Sequence, residues 1–274
     1  MPKLKVRISQ SLMAALHAEQ KLTGETLEHI VSRALADSLQ VDHGTLFQVS
    51  TAGALVEGVS GDIVSIRTLK EHGDFGLGTF TGFDGEMAVL DGHFFQIRGD
   101  GSITEAPDEA MAPFAVVTHF AADTTFVLKP FASFADLTAQ LDAHRESENR
   151  FYGVRIDGTF PFIRTRAVCK QPVGESLSNA ADSQALFDIA DVTGTMMGFW
   201  TPAYAKTVNI AGWHIHFLSD DRLTGGHLLD CRGEGGAVGF QKLNDFRIAI
   251  PETAGFLQAE LGGDPSAALD KAEH

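Results

Sequence analysis

The first residues alternate strictly. In KLKVRIS, Leu4, Val6 and Ile8 are apolar and Lys3, Lys5 and Arg7 are basic, the period-2 pattern of a short strand. SLMAALHAEQ follows as a short helix capped by Ser9 or Ser11. TGETLEHIVSRALADSL predicts a second helix, with Thr23 as its cap and Leu27, Ile30, Val31, Ala34, Leu35 and Leu39 as its apolar stripe. The texture changes at Gly44. LFQVS, DIVSIRTL, GEMAVLDG and HFFQIRGDG alternate apolar with polar positions between Gly and Asp, which predicts strands joined by turns. GDFGLGTF is too rich in glycine for a plain strand and predicts a loop or bulged strand that approaches something closely.

AVVTHF and TTFVLKP predict further strands, and SFADLTAQLDAHRES a helix with Phe134, Leu137 and Leu141 on one side. FYGVRIDGTF and IRTRAVCK predict a strand pair. SLSNAADSQALFDI reads as a polar loop entering a short helical or extended segment. GTMMGFWTP, VNIAGWHIHFLS, GGHLLDCRG and GGAVGFQKL return to strand texture, and FRIAIPETAGFLQAELGG gives one more strand and a turn. DPSAALDKAEH predicts a short terminal helix. The expected organisation is a strand-helix-helix extension over 1–42, a mixed-sheet subdomain over 43–150 and a second sheet subdomain over 151–274. The fold class is α+β.

Composition narrows this picture. A chain of 274 residues suits about two domains and buries enough surface to need no disulfide. With 44% hydrophobic and 21% charged residues it is no disordered chain. No apolar run approaches the ~20 residues of a membrane span, and MPKLKVRISQ lacks the pattern of a signal peptide. Cys169 and Cys231 make no disulfide scaffold. The expected location is the cytoplasm, with no membrane partner. A net charge of −15 argues against general nucleic-acid binding, and means that an anionic substrate needs a local positive site.

The charge is uneven, because residues 1–41 carry a net +1. That extension resembles a ribbon-helix-helix module, in which two chains pair their strands and alternate side chains enter the major groove. A helical cap or dimerisation arm is the plainer reading, so homo-oligomer formation is expected and nucleic acid enters only through this extension.

The chemistry concentrates in AGWHIHFLSDDRLTGGHLLD. His214 and His216, two apart on a strand, face the same side. His227 follows eleven residues after His216, across a polar glycine turn that can bring it beside them. Three neutral imidazoles suit Zn²⁺ with one position open, the arrangement of a catalytic site. Asp220, Asp221 or Asp230 could orient an imidazole from behind. Cys231 shares His227's face on a regular strand and could close the site as a fourth ligand. His29, His43, His72, His93 and His119 lack comparable spacing. Glu86, opening a strand after a glycine turn, is a candidate ligand or acid/base, against the plain reading of a turn glutamate. Arg155, Arg164 and Arg166 crowd one stretch of an acidic chain. An arginine fork can hold a carboxylate, and at least one of the three reads as a surface ion pair.

Five blocks together resemble the alpha-acetolactate decarboxylase family in sequence and order: LFQVSTAGALVEGV, GDFGLGTFTGFDGEM, YGVRIDGTFPFIRTRAV, DVTGTMMGFWTP and NIAGWHIHFLSDDRLTGGHLLD. The resemblance spans about residues 44–274. It implies a two-domain fold of mixed and antiparallel sheets, a lyase acting in acetoin and butanediol formation, and conversion of 2-acetolactate to acetoin and carbon dioxide with one divalent metal, usually zinc. By position it implies His214, His216 and His227 as metal ligands, Glu86 as the active-site glutamate, Thr79 as a pocket hydrogen-bonding residue and Arg166 as the catalytic arginine. It also places a tail glutamate at the metal, for which Glu273 is the first choice and Glu252 the second. The 1–42 extension departs from the family pattern.

The substrate's hydroxyl and ketone oxygens can chelate a metal, so decarboxylation is expected to pass through a zinc-bound enediolate that a protonated glutamate, Glu86 or Glu273, quenches. Such a donor needs its acidity weakened by burial or a neighbouring carboxylate. Two other classes share the histidine pattern. A cupin-like metal oxygenase also uses HxH and a later histidine, but Ser219, Asp220 and Asp221 stand where its glutamate belongs. A metal-dependent ligand-binding sensor would release no carbon dioxide.

Overall fold

The computed structural model describes residues 4–39 and 44–273. Helix α1 (Gln10–Thr23) starts where Ser9 Oγ accepts the Leu12 amide at 3.2 Å and stops at Gly24, whose φ of 75° suits glycine. Thr23 therefore ends α1 and does not cap the next helix. The hydroxyl of Thr26 accepts the His29 amide at 3.1 Å and opens α2 (Leu27–Leu39). Residues 4–9 form no strand, since a strand needs a ladder partner and this part of the chain is paired with nothing among the described residues. Lys3 and His43 lie outside the described residues.

The body begins with β1 (Thr45–Val49), α3 (Ala52–Val56) and β2 (Val64–Ser65). DIVSIRTL is a strand only at Val64–Ser65, and its second half is helical. Ser65 Oγ accepts the Thr68 amide and starts α4 (Ile66–Lys70), which buries Ile66 and Leu69 three residues apart. Then come β3 (Phe75–Thr79), β4 (Glu86–Leu90), β5 (His93–Ile97), β6 (Ile103–Glu105), β7 (Met111–Ala112), β8 (Phe114–Thr118) and β9 (Thr124–Leu128). After α5 (Phe134–Asp142) the chain runs through β10 (Phe151–Ala167), α6 (Leu177–Ala181), β11 (Ala185–Thr201), β12 (Gly212–Ser219), β13 (Gly225–Arg232), β14 (Gly236–Leu243) and β15 (Asp245–Ala249). It ends with α7 (Ala254–Gln258) and α8 (Ser266–Glu273). Among the described residues no helix is long and apolar enough to cross a membrane.

Seven strands form one mixed sheet, in the order β15-β1-β8-β3-β4-β5-β6, with β1 and β15 parallel. GDFGLGTF supplies β3, a regular strand at the middle of this sheet. Its glycines serve close approach, because a Cβ on Gly78 would stand 2.5 Å from the Phe114 carbonyl oxygen of β8. The second sheet is antiparallel, β11-β12-β13-β10-β14-β9. Because β10 also pairs with β11, strands β10 to β13 close on themselves as a small barrel. FYGVRIDGTF and IRTRAVCK are thus one 17-residue strand, not a pair. The sheets exchange strands: β9 precedes residue 150 yet joins the second sheet, and β15 returns to the first.

Alternation along β12 sorts the layers. Trp213, Ile215 and Phe217 point into the barrel with Phe160, Ile163 and Tyr152, under a lid formed by Leu137 and Leu141 of α5. Leu218 points outward, into a core shared with Phe75, Leu77, Ala88 and Leu90 of the seven-stranded sheet. His214 and His216 share that outward face, so the fold places them between the two sheets.

Candidate metal centre

The three histidines come together as the spacing predicts. His216 on β12 stands directly opposite His227 on β13. The ring centroids of the three imidazoles lie 4.9 to 5.4 Å apart, and one nitrogen of each lies within 4.8 Å of the others. All three side chains are buried, with exposures of 7%, 0% and 3% for His214, His216 and His227. His216 Nδ1 lies 2.8 Å from the carbonyl oxygen of Met87 on β4. A carbonyl only accepts, so Nδ1 carries the proton and the Nε2 lone pair faces the cluster. His214 Nε2 is 3.2 Å from that Nε2. Such a convergence of buried imidazole nitrogens, one with its tautomer fixed from behind, fits a divalent cation of the zinc type. Among the described residues this is the one group of His, Cys, Asp and Glu side chains found able to hold a metal.

The carboxylates named from sequence as orienting groups go elsewhere. Asp221 accepts from Ser219 and Leu223, and Asp230 from Phe134 and Cys231. For His216 that task falls to a backbone carbonyl, which no sequence motif advertises. Cys231 does not join the cluster. Arg164 pairs with Asp230 and Thr165 with Leu228, leaving Leu229 as an extra residue. This bulge reverses the facing of the rest of β13. Cys231 therefore packs in the barrel interior beside Leu228, and burial pushes its thiol up to about 12. A glycine is required just before His227: Gly226 has a φ of 136°, and a Cβ there would come 2.4 Å from the Arg166 carbonyl oxygen.

The neighbouring strands add three polar side chains. Glu86, 7% exposed, opens β4 with Oε2 at 3.7 Å from His216 Nε2. Thr79 pairs with Glu86 across β3 and β4, and its hydroxyl donates to the Gly85 carbonyl at 2.8 Å, fixing the turn that delivers Glu86. Arg166 is 2% exposed, opposite His227 across β10 and β13, and donates through Nη1 to Gln184 Oε1 at 3.0 Å. The other two arginines are structural. Arg164 forks onto Asp188 at the surface, and Arg155 ties Asp91 to Asp157.

Glu86, Arg166, Thr79 and His214 line one small cavity, whose apolar wall includes Leu55 of α3 and Leu177 of α6. Larger hollows exist, one of about 540 Å³ along β1 and β15, but it lacks such a cluster. Chemistry rather than size marks the site. Leu269 and Ala272 bury α8 in the core that also holds Leu55 and Leu177, so the helix ending at Glu273 lies beside this wall. The side chain of Glu273 lies outside the described residues. Glu252 is exposed, beyond β15 at the far edge of the first sheet. Gln184, Leu55 and Leu177 were not singled out from sequence, and no spacing rule marks them.

The family model for alpha-acetolactate decarboxylase matches residues 46–263. The alpha-acetolactate decarboxylase of Methanosarcina mazei is 42% identical over 229 residues, covering 83% of this chain and 80% of that protein. That of Methylococcus capsulatus is 39% identical over 234 residues, covering 85% and 90%. The crystal structure of the enzyme from Bacillus subtilis strain 168 superposes with a TM-score of 0.81 at 32% identity, covering 84% of this chain and 99% of that one.

Proposed function

The chain belongs to the alpha-acetolactate decarboxylase family, and on that premise we propose that it converts 2-acetolactate to acetoin and carbon dioxide with a zinc ion held by His214, His216 and His227. The observation that carries this reading is the convergence of three buried imidazoles beside a buried glutamate and a buried arginine. When bound, the cation supplies Lewis acidity toward the substrate's ketone oxygen.

Every other part falls to this chain's own side chains. Arg166 takes the substrate's carboxylate and sets its angle to the bond that breaks. That group leaves as neutral carbon dioxide, so the charge of the fork acts in binding the substrate and its angle acts in the bond-breaking step. Thr79 has committed its proton to Gly85, so its oxygen is left to accept from the substrate hydroxyl. The electron pair of the broken C–C bond stays on the substrate carbon, and the Glu86 carboxyl gives that carbon its proton. Glu273, at the end of the helix packed beside the cavity wall, completes the set as the tail carboxylate. The apolar wall excludes water and strengthens each polar contact.

The decisive experiment is purified full-length protein with 2-acetolactate, assayed for acetoin and carbon dioxide before and after treatment with a chelator. Stoichiometric release of both, lost on chelation and restored by added zinc, is the expected result. Consumption of oxygen instead, or binding of the acid without release of carbon dioxide, overturns the reading.

The N-terminal extension supports the expected homo-oligomer. Helix α1 has no buried residue, and Leu4, Val6, Ile8, Leu12, Met13, Leu22, Leu35 and Leu39 are all exposed. Exposed apolar side chains at this density mark an interaction surface. The segment 4–9 alternates apolar and polar residues and has no ladder partner among the described residues, so a second copy could pair with it about a two-fold axis. We assign the contact to a second copy of the chain. Light scattering of the full chain against one lacking residues 1–43 checks it. A halved mass on truncation is expected, and an unchanged mass removes the assignment.

A further inference from the structure

Gln184 has no place in the chemistry above, yet its side chain accepts a hydrogen bond from the buried guanidinium of Arg166. We propose that Gln184 is a positioning residue for Arg166: its neutral amide oxygen aims the fork and adds no negative charge beside it. The proposal rests on the role given to Arg166 under the reading above.

The geometry begins with the Nη1 to Oε1 bond of 3.0 Å. Gln184 sits at the last position before β11, a strand paired along β10 through Arg166 opposite Leu186 to Ala167 opposite Ala185. Its backbone is anchored, because its amide donates to the Ala181 carbonyl at the end of α6. Its neighbour Ser183 donates to the Ala180 carbonyl and accepts from Gln171 Nε2 at 2.7 Å. The Gln171 amide in turn donates to the Gly82 carbonyl at 2.7 Å. Gly82 belongs to the turn Thr81–Phe83, which leads through Gly85 into Glu86. The Arg166–Gln184 bond, the peptide link from Gln184 to Ser183 and the two Gln171 bonds thus connect the Arg166 guanidinium to the turn that delivers Glu86. The two groups that would flank the substrate are set relative to each other through the segment 171–184.

The choice of amide over carboxylate has a chemical reason. A glutamate at 184 has the same shape and accepts the same bond, but it adds a negative charge against Arg166 in a poorly solvated place. It would compete with the substrate's carboxylate for the same cation. Methionine has a similar length and removes the acceptor without adding charge.

The test compares Q184E and Q184M with the wild-type holoenzyme, and R166K alongside. Circular dichroism and zinc content serve as checks on fold and metal loading. Q184E is expected to raise KM about tenfold or more, and to weaken competitive inhibition by lactate similarly, because the anion meets an added negative charge beside the fork. Q184M is expected to lower kcat several-fold with a smaller change in KM, because the fork is charged but less well aimed. Equal KM and equal lactate inhibition in wild type and Q184E, with R166K impaired, overturn the role of Gln184. Equal damage in Q184E and Q184M, confined to kcat, also overturns it, since a packing role predicts no charge discrimination. If R166K itself is unimpaired, the role of Arg166 fails first, and the two failures are distinguished.

Discussion

Replacing His216 by alanine is expected to leave a folded protein that binds zinc weakly and turns over 2-acetolactate at or below about 1% of the original rate. The size follows from the ligand count. Apparent zinc affinities of about 10–16 kcal/mol for structural sites are shared among four ligands, so one imidazole carries roughly 3 kcal/mol, near a hundredfold in binding. His216 is the most deeply buried of the three and the one whose tautomer is set by Met87. Its loss also leaves that carbonyl without its donor, a cost of about 1–3 kcal/mol in stability. Metal analysis of the folded fraction, turnover at saturating zinc and a thermal melt separate the two effects. A variant that keeps full zinc and full turnover removes His216 from the centre. A variant that loses stability alone reduces it to a buried core histidine.

The histidine cluster was legible because its logic is local. Two histidines at i and i+2 share a strand face whatever the rest of the chain does, and a glycine turn of the right length can return the third beside them. What sits behind and beside the cluster was not legible, because it depends on long-range register. Met87 contributes a carbonyl, which has no side-chain signature. Cys231 looked like a possible fourth ligand on a regular strand, and a single extra residue at Leu229 turns it away. The alternation rule fails wherever a bulge intervenes.

Two fold-level misreadings have similarly specific causes. Pro161 lies between FYGVRIDGTF and IRTRAVCK, which predict two strands. The ladder between β10 and β11 instead passes over Pro161 and over Asp191, whose φ is 49°, so the proline's missing donor costs nothing there. DIVSIRTL alternates like a strand, yet Ile66 and Leu69 are also three apart. The seven-stranded sheet needed a cover for Met87, Val89 and Phe94, and tertiary packing chose the helix. The three arginines show the same limit. Charge alone did not say which of Arg155, Arg164 and Arg166 enters the site. The sheet that covers the outer face of the barrel decides it, since Arg166 lies under that cover and Arg164 reaches solvent.

Replacing Glu86 by glutamine asks which group delivers the proton, and the expected answer is a fall in kcat of about 10²–10⁴-fold with KM changed little. Glutamine keeps the shape and the buried position at the head of β4, and the turn held by Thr79 is untouched. What is lost is an acid that can part with its proton. The fall in rate alone does not identify a donor, because Glu86 also lies 3.7 Å from His216 Nε2 and its charge bears on the metal. The stereochemistry of the product does identify it. A proton delivered from one fixed wall of the cavity reaches one face of the planar carbon, whereas solvent reaches both. Residual acetoin from E86Q is therefore expected to lose enantiomeric excess, read by chiral gas chromatography, while E273Q keeps it. Should E86Q retain both its rate and a single enantiomer while E273Q loses them, the proton belongs to the C-terminal helix and Glu86 is left with an electrostatic part beside His216.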